Sequence, residues 1–367
     1  MTFVMNDRFP TNDDTISLSA RIFFVVSVAF GVAGLFGIRC PSCQLPVAQR
    51  KTALTRCVPG RHCPKCGTDL AAAPGRFLRG RYVLALLGLL TRPALADPAL
   101  WVAHGAHADV YLLGSIHLLK SGTAWEGPAI QRAFDTASQC WFEAVQPDDL
   151  GPMQAVVAEL GLDPTHPLAS HLSAADAKKL HRLIPENSPA DQALERMRPW
   201  LASVVLAVQP LEKAGYDGKY GPDHVLQDQA RASGKSVGGL ETMEQQGRIL
   251  AGMSDTFALQ LLHSTLQEAG EGPAFIDKAV ASWLKGDFLT TAASLDKTMR
   301  KEAPGLFRLL TTDRNNAWAG RIEQLLAGDQ TTLITVGTGH LAGDGNLRDL
   351  LARHGVKFER VPDAPAH

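Results

Sequence analysis

The sequence predicts an α/β protein in which helices cover a mainly parallel sheet, with a helical insertion in its middle and a small cysteine-bearing segment at the N-terminal end. Two observations carry that expectation. Short apolar runs rich in β-branched residues alternate with long helical patterns, as strands buried on both faces do. Two of these runs also end alike. One reads Tyr111-Leu112-Leu113-Gly114-Ser115-Ile116-His117-Leu118 and the other Ile334-Thr335-Val336-Gly337-Thr338-Gly339-His340-Leu341. Each is a strand-length run meeting a tight turn at glycine, then Gly-x-x-His and Leu.

With 367 residues, 45% of them hydrophobic, the chain has room for one large domain and something smaller. Its net charge of −1 hides a division. Residues 1–96 hold 12 Lys and Arg against 4 Asp and Glu, and the remainder holds 24 against 33. The two parts are built for different surroundings.

In chain order, residues 1–38 are a tail followed by the uncharged run Ile22 to Ile38, bounded by Arg21 and Arg39. Seventeen residues is the short limit for a membrane-spanning helix. The excess of Lys and Arg in residues 39–81 places that side in the cytoplasm. Within 39–75 stand Cys40-Pro-Ser-Cys43 and Cys63-Pro-Lys-Cys66-Gly67, two Cys-x-x-Cys knuckles at zinc-ribbon spacing. Cys40, Cys43, Cys63 and Cys66 can close a tetrahedron of thiolates about a structural zinc ion. Disulfides are the rival, and would require an oxidising compartment. Cys57 and Cys140 read as structural. Residues 76–96 place Arg76, Arg79 and Arg81 before the apolar run Tyr82–Leu90 and Pro93-Ala94-Leu95-Ala96. This is the layout of an export signal, cleaved after Ala96 or retained as a second short span. Either outcome puts residues 97–367 outside the cytoplasmic membrane.

In the main domain the strand-like runs are Asp109–Leu113, Cys140–Ala144, Lys235–Leu240, Thr331–Val336 and Val356–Val361. Helical patterns cover Gly127–Ser138, Asp191–Val208, Pro222–Ser233, Thr242–Ala251, Thr256–Ala269, Pro273–Lys285, Pro304–Leu326 and Asn346–His354. Trp200, Trp283 and Trp318 fall at helical spacings and read as core. The domain is acidic and has no basic-aromatic face, which argues against nucleic acid as a partner.

In such sheets ligands bind at the carboxyl ends of the strands. His117 and His340 both stand there, and Glu143 ends the run Trp141-Phe142-Glu143-Ala144. Histidine is the commonest metal ligand and the side chain best suited to proton transfer near neutrality. A carboxylate ending an apolar strand needs a partner, because burying it alone is costly. Two imidazoles and a carboxylate make an open metal site with positions left for water and substrate. A salt bridge from Glu143 to Arg314 is the structural alternative.

At these residues the chain resembles the TraB/GumN family, which includes the Tiki-type membrane metalloproteases, over about residues 97–361. The resemblance rests on an ordered set. The first Gly-x-x-His, the Glu143 strand end and Arg198-Pro199-Trp200 are followed by Gly239-Leu240-Glu241-Thr242 with Gln246. Asp313-Arg314-Asn315 with Trp318 comes next, then Val336-Gly337-Thr338-Gly339-His340-Leu341-Ala342-Gly343. It implies a divalent-metal site of His117, His340 and Glu143, with Arg314 on a substrate carbonyl or carboxylate. Glu241 and Asp223 match further acidic positions. The expected activity is metal-assisted hydrolysis of a peptide or related carbonyl substrate by Mn²⁺, Co²⁺, Zn²⁺ or Fe²⁺. Glu143 or Glu241 takes the proton of the attacking water, and Arg314 steadies the oxyanion. The alternatives are a module that sequesters a peptide or haem without turnover, and a metal-free esterase using His117 as general base.

Overall fold

The computed structural model describes residues 98–146, 151–268 and 272–362. Strand β1 (Leu100–His104) turns through Gly105 into β2 (Asp109–Ser115), and β3 (Leu119–Lys120) comes after it. A side chain at Gly105 would meet the carbonyl oxygens of Leu326 and Ala108 at 2.5 and 2.6 Å, so the turn admits only glycine. Helix α1 (Pro128–Thr136) leads to β4 (Gln139–Ala144). A largely helical insertion comes next: α2 (Gly151–Val156), α3 (Ala174–Leu183), α4 (Pro189–Leu194) and α5 (Pro199–Lys213). The short β5 (Tyr216–Asp217), α6 (Pro222–Ala232) and β6 (Ser236–Glu241) return the chain to the sheet. Helices α7 (Met243–Ala251), α8 (Asp255–Glu268), α9 (Gly272–Trp283), α10 (Phe288–Glu302), α11 (Pro304–Phe307) and α12 (Asp313–Leu326) precede β7 (Thr332–Gly337). Helix α13 (Leu347–Arg353) and β8 (Glu359–Arg360) complete the fold.

The main sheet has the order β6-β4-β7-β2-β1-β8. The four strands β6, β4, β7 and β2 are parallel, and β1 pairs antiparallel with both β2 and β8. Register levels the carboxyl ends. Ser115 pairs with Gly337 and Ala144 with Glu241, so the residues that end β2, β7, β4 and β6 form one rim. Every residue of β7 is buried, as its continuous apolar run requires. Beneath the rim Val110, Leu112, Ile334 and Val336 pack with Trp318, Ala319 and Ile322 of α12. A second core of Leu180, Leu194, Leu206, Leu262 and Leu266 holds the insertion together.

Several elements depart from the sequence-based expectation for local reasons. The expected helix over Asp191–Val208 is two helices. Arg198 stands extended (φ −65°, ψ 154°) before Pro199, which opens α5 as the first-turn proline it is suited to be. The expected helix over Pro304–Leu326 is interrupted by a π-turn, Arg308–Thr312, directly before Arg314. An extra residue in the turn re-aims the side chains beyond it, and such turns cluster at functional sites. Helices α3 and α10 were not legible as helical patterns. α3 is set by its cap, where the Ser173 hydroxyl accepts from the Asp176 amide. The expected Val356–Val361 strand shrinks to Glu359–Arg360 at the exposed edge. The three tryptophans are core, as expected.

The apolar run 22–38, the four cysteines Cys40, Cys43, Cys63 and Cys66, and the signal-like segment 76–96 lie outside the described residues. Among the described residues no helix is long and apolar enough to cross a membrane.

Candidate functional site

The two Gly-x-x-His turns touch each other at the rim. The Thr338 hydroxyl donates to the Ser115 carbonyl at 3.0 Å, and a side chain on Gly114 would lie 2.9 Å from that hydroxyl oxygen. The Trp283 indole N–H donates to the Gly114 carbonyl at 2.8 Å. The two histidines are therefore fixed relative to each other by packing and hydrogen bonds, although 223 residues separate Ser115 from Thr338.

His117 is held from behind. Its Nδ1–H donates to Asp223 Oδ2 at 2.6 Å, and the Ser115 hydroxyl donates to the same carboxylate at 3.0 and 3.1 Å. Asp223 reaches them because α6 starts against the His117 carbonyl. A side chain at Gly221 would be 2.2 Å from that oxygen, so glycine is what lets the helix begin there. With Nδ1 committed, Nε2 carries the lone pair whenever the ring is neutral. It is buried, has no hydrogen-bond partner, and lies 3.8 Å from Glu143 Oε1.

His340 is held in the same sense by different groups. Its Nδ1–H donates to Asn315 Oδ1 at 2.7 Å, its ring packs 4.4 Å from that of Trp318, and its Nε2 accepts from Arg314 Nη1 at 3.1 Å. Nε2 lies 3.7 Å from Glu143 Oε1. Both imidazoles therefore address one carboxylate oxygen.

Glu143, 3% exposed, receives the Gly337 amide on Oε1 at 2.6 Å and Arg314 Nη2 on Oε2 at 2.5 Å. Arg314 is equally buried. It donates Nε and Nη2 to Glu241 and Nη1 to the Leu310 carbonyl and His340. All five of its N–H groups are taken by the protein. The expectation that Arg314 holds a substrate oxygen therefore meets a geometry in which it has no free donor. It organises Glu143 and Glu241 instead. The salt-bridge alternative for Glu143 and its place in the histidine cluster hold together.

The electrostatics divide the cluster. Burial opposes the charged form of His117, but the Asp223 charge and hydrogen bond, with Glu143, outweigh it and raise the imidazole pKa. Burial, the Arg314 guanidinium and His117 push His340 well below the usual histidine range, so it is neutral. Burial raises Glu143 against the pull of Arg314 and His117, whereas at Arg314 burial is outweighed by the two glutamates, which keep it charged.

A pocket of about 30 Å³ opens on the His117 side, lined by His117, Phe142, Glu143, Asp223, Gln227, Met243 and Gln246 among others. That is space for one or two water molecules. His340, Arg314 and Glu241 are not in its lining. Gln227 is occupied, accepting from the Gln146 amide and donating to the Ala144 carbonyl.

The donor set fits a divalent cation in kind. Each histidine has its Nδ1–H anchored to an oxygen, the arrangement that fixes the ligating tautomer in metal sites. Two carboxylates, Glu143 and Glu241, flank one guanidinium, and a third, Asp223, stands behind His117, leaving negative charge for a cation to offset. The site does not stand as a closed cage. The imidazole nitrogens lie 3.8 and 3.7 Å from Glu143 Oε1, His340 Nε2 is shared with Arg314, and no three His, Cys, Asp or Glu side chains among the described residues are poised to ligate as placed.

The structure thus brings His117, Glu143, His340, Arg314, Glu241 and Asp223 into one cluster. Sequence reasoning gave no role in the site to Ser115, Asn315, Trp318, Gln227 or Gln246. All but Gln227 lie in the motifs that carried the family resemblance, so position within those motifs was the available signal.

A family model described as the TraB/PrgY/gumN family matches residues 99–360. The chain is 24% identical over 254 residues to the uncharacterized protein YbaP of Escherichia coli (strain K12), covering 69% of this chain and 92% of YbaP. The YbaP of Shigella flexneri is likewise 24% identical over 254 residues. An uncharacterized protein of Treponema pallidum (strain Nichols) is 23% identical over 331 residues, covering 83% of this chain and 95% of its own. No solved structure matches.

Proposed function

Since the chain belongs to the TraB/PrgY/gumN family, we propose that its main domain is a metal-dependent hydrolase acting on a peptide or related carbonyl substrate. His117, His340 and Glu143 are the residues that would hold the ion. One observation carries the reading: the buried, unpartnered His117 Nε2 and the His340 Nε2 both face Glu143 Oε1, at 3.8 and 3.7 Å. A divalent ion (Mn²⁺, Co²⁺, Zn²⁺ or Fe²⁺; the ligands do not choose) supplies a water of lowered pKa and polarises a carbonyl.

The protein's own groups do the rest. Asp223 and Asn315 fix both imidazoles with Nε2 inward. Asp223 also favours a proton on His117, so an incoming cation must displace it, and binding releases that proton. Gly337 and Arg314 pin the two oxygens of Glu143, which keeps its position when charge changes beside it. Of the two acidic groups expected to take a proton from water, Glu143 borders the pocket and Glu241 does not. Glu143 is therefore the proton acceptor of this reading.

The Asp223–His117 pair also supports a second reading. An imidazole with Nδ1–H on a carboxylate and a free Nε2 is the arrangement of a general base that needs no metal, as in an esterase. The excess of carboxylates over guanidinium favours the cation.

The test strips the purified chain with chelator, restores Mn²⁺, Co²⁺, Zn²⁺ or Fe²⁺ singly, and monitors cleavage of a peptide library. Restored activity that His117→Ala and His340→Ala both abolish supports the proposal. Cleavage indifferent to chelator supports the metal-free reading. Variants that cut like the wild type end both. We further place the domain outside the cytoplasmic membrane, tethered by residues 22–38, with a structural zinc on Cys40, Cys43, Cys63 and Cys66. Protease accessibility of the domain in intact cells against lysed ones checks the first, and metal analysis of a four-cysteine-to-serine variant the second.

A further inference from the structure

The pocket contains two buried polar atoms without a partner. One is His117 Nε2; the other is the side-chain amide nitrogen of Gln246. Gln246 is 3% exposed. It sits in the first turn of α7, directly after the strand that gives Glu241 to Arg314. That turn is fixed by a capping box, in which the Thr242 hydroxyl accepts from the Gln245 amide and the Gln245 side chain accepts from the Thr242 amide. The β6–α7 connection therefore delivers Glu241 to Arg314 and Gln246 to the pocket lining.

The other polar side chains buried around the pocket are satisfied. Both oxygens of Asp223 accept from Ser115, and Oδ2 also from His117; those of Glu143 accept from Gly337 and Arg314; Gln227 is bonded at both ends. Arg314 has no donor to spare. Leaving an amide N–H buried and unanswered costs stability, and such a group in a native protein calls for a water, an ion or a catalytic role to account for it.

We propose that Gln246 is the residue that binds the substrate's reacting carbonyl oxygen, donating its amide N–H to that oxygen across from His117. The assignment rests on the hydrolase reading of the same pocket and takes over the role that the sequence suggested for Arg314. It specifies substrate chemistry: an uncharged acceptor oxygen of an amide or ester, met by a neutral donor. A carboxylate would be met by a charged one. As the carbonyl oxygen gains charge, the bond to Gln246 strengthens, the behaviour of an oxyanion donor.

The experiment uses the full-length chain and acetohydroxamate, a small carbonyl ligand that also chelates metals, titrated with and without Mn²⁺. Gln246→Met keeps the volume and removes the donor; Gln246→Glu keeps the shape and replaces the donor with an acceptor. Gln246→Met should bind Mn²⁺ as the wild type does, and Gln246→Glu at least as tightly, since it adds a carboxylate to the pocket lining. Their dissociation constants for acetohydroxamate should rise by about tenfold or more. Gln246→Met should melt no lower than the wild type, because an unanswered polar group has been exchanged for an apolar one. A merely structural glutamine would do the reverse, losing stability with probe affinity intact, and that result overturns the proposal. So does a wild type that does not bind the probe under either condition. If Mn²⁺ fails to bind while acetohydroxamate still requires Gln246, the metal reading falls and the Gln246 assignment stands.

Discussion

The two Gly-x-x-His turns are alike in sequence and in backbone placement, yet the molecule treats their histidines differently. His117 borders the pocket, leans on a carboxylate and is biased toward holding a proton. His340 is 1% exposed, leans on an amide, packs against Trp318 and is held neutral beside Arg314. The difference teaches that a repeated motif fixes where a side chain starts, while long-range neighbours decide what it can do. His117 is the exchanging half of the site and His340 the fixed half.

Substitutions that break this asymmetry should separate by what they cost. The largest effect is expected at Arg314, the post between the two halves. Arg314→Lys cannot reproduce five N–H donors and leaves Glu143 or Glu241 uncompensated in the interior. Removing one partner of a buried ion pair costs about 3–5 kcal/mol, which denaturant unfolding would measure. A loss under about 1 kcal/mol would mean that the guanidinium is not the organising group.

Next come the histidines. His340→Ala should cost about 2–4 kcal/mol as well as activity, because it strands a buried donor on Arg314 and a buried acceptor on Asn315. His117→Ala should abolish metal binding and activity with a smaller loss of stability, since its Nε2 has no protein partner to strand and Asp223, partly exposed, keeps the Ser115 hydroxyl. Equal stability losses would contradict the division. Asp223→Asn should weaken metal binding by roughly 10–100-fold, as loss of an anchoring carboxylate behind a ligating histidine does elsewhere. Metal titration against Ser115→Ala, which keeps that carboxylate, provides the comparison.

The last effect is on stability alone and arises behind the His340 turn. Asp296 of α10 is 2% exposed and its Oδ2 has no partner. Gly343, at φ +74°, leaves room for it where a side chain would come within 2.7 Å of that oxygen. Burial, against the pull of Arg300, pushes its carboxyl from 3.8 up to about 7. The folded state thus prefers the neutral acid. Stability associated with it is fully present below the unfolded pKa and declines as pH climbs from about 4 to about 7, then levels. The full decline amounts to roughly 4 kcal/mol at the cited shift. Asp296→Asn should therefore melt higher than wild type at pH 8 and converge with it near pH 4. Parallel melting curves would show that this carboxyl is not held neutral.

Much of this was legible from sequence because it is local. The apolar runs announced β2, β4, β6 and β7, and their shared direction put His117, His340 and Glu143 on one rim. The first-turn proline and cap of α5 were in plain view at Arg198-Pro199, although periodicity ran through them. β1 was missed because Leu100–His104 is short and gains its strand character from pairing with β2. Which histidine faces the pocket was not legible. That choice depends on Asp223, Asn315 and Arg314, each brought from another part of the chain by packing. Nor could spacing reveal that Arg314 is saturated, since its glutamates lie 171 and 73 residues away.

The most direct measurement is equilibrium binding of Mn²⁺ to the full-length chain, beside His117→Ala and His340→Ala. If both imidazoles and Glu143 grip one ion, the wild type takes up about one Mn²⁺ in the main domain, releases protons as it does so, and each variant loses at least about tenfold in affinity. Either variant binding Mn²⁺ as tightly as the wild type would contradict it.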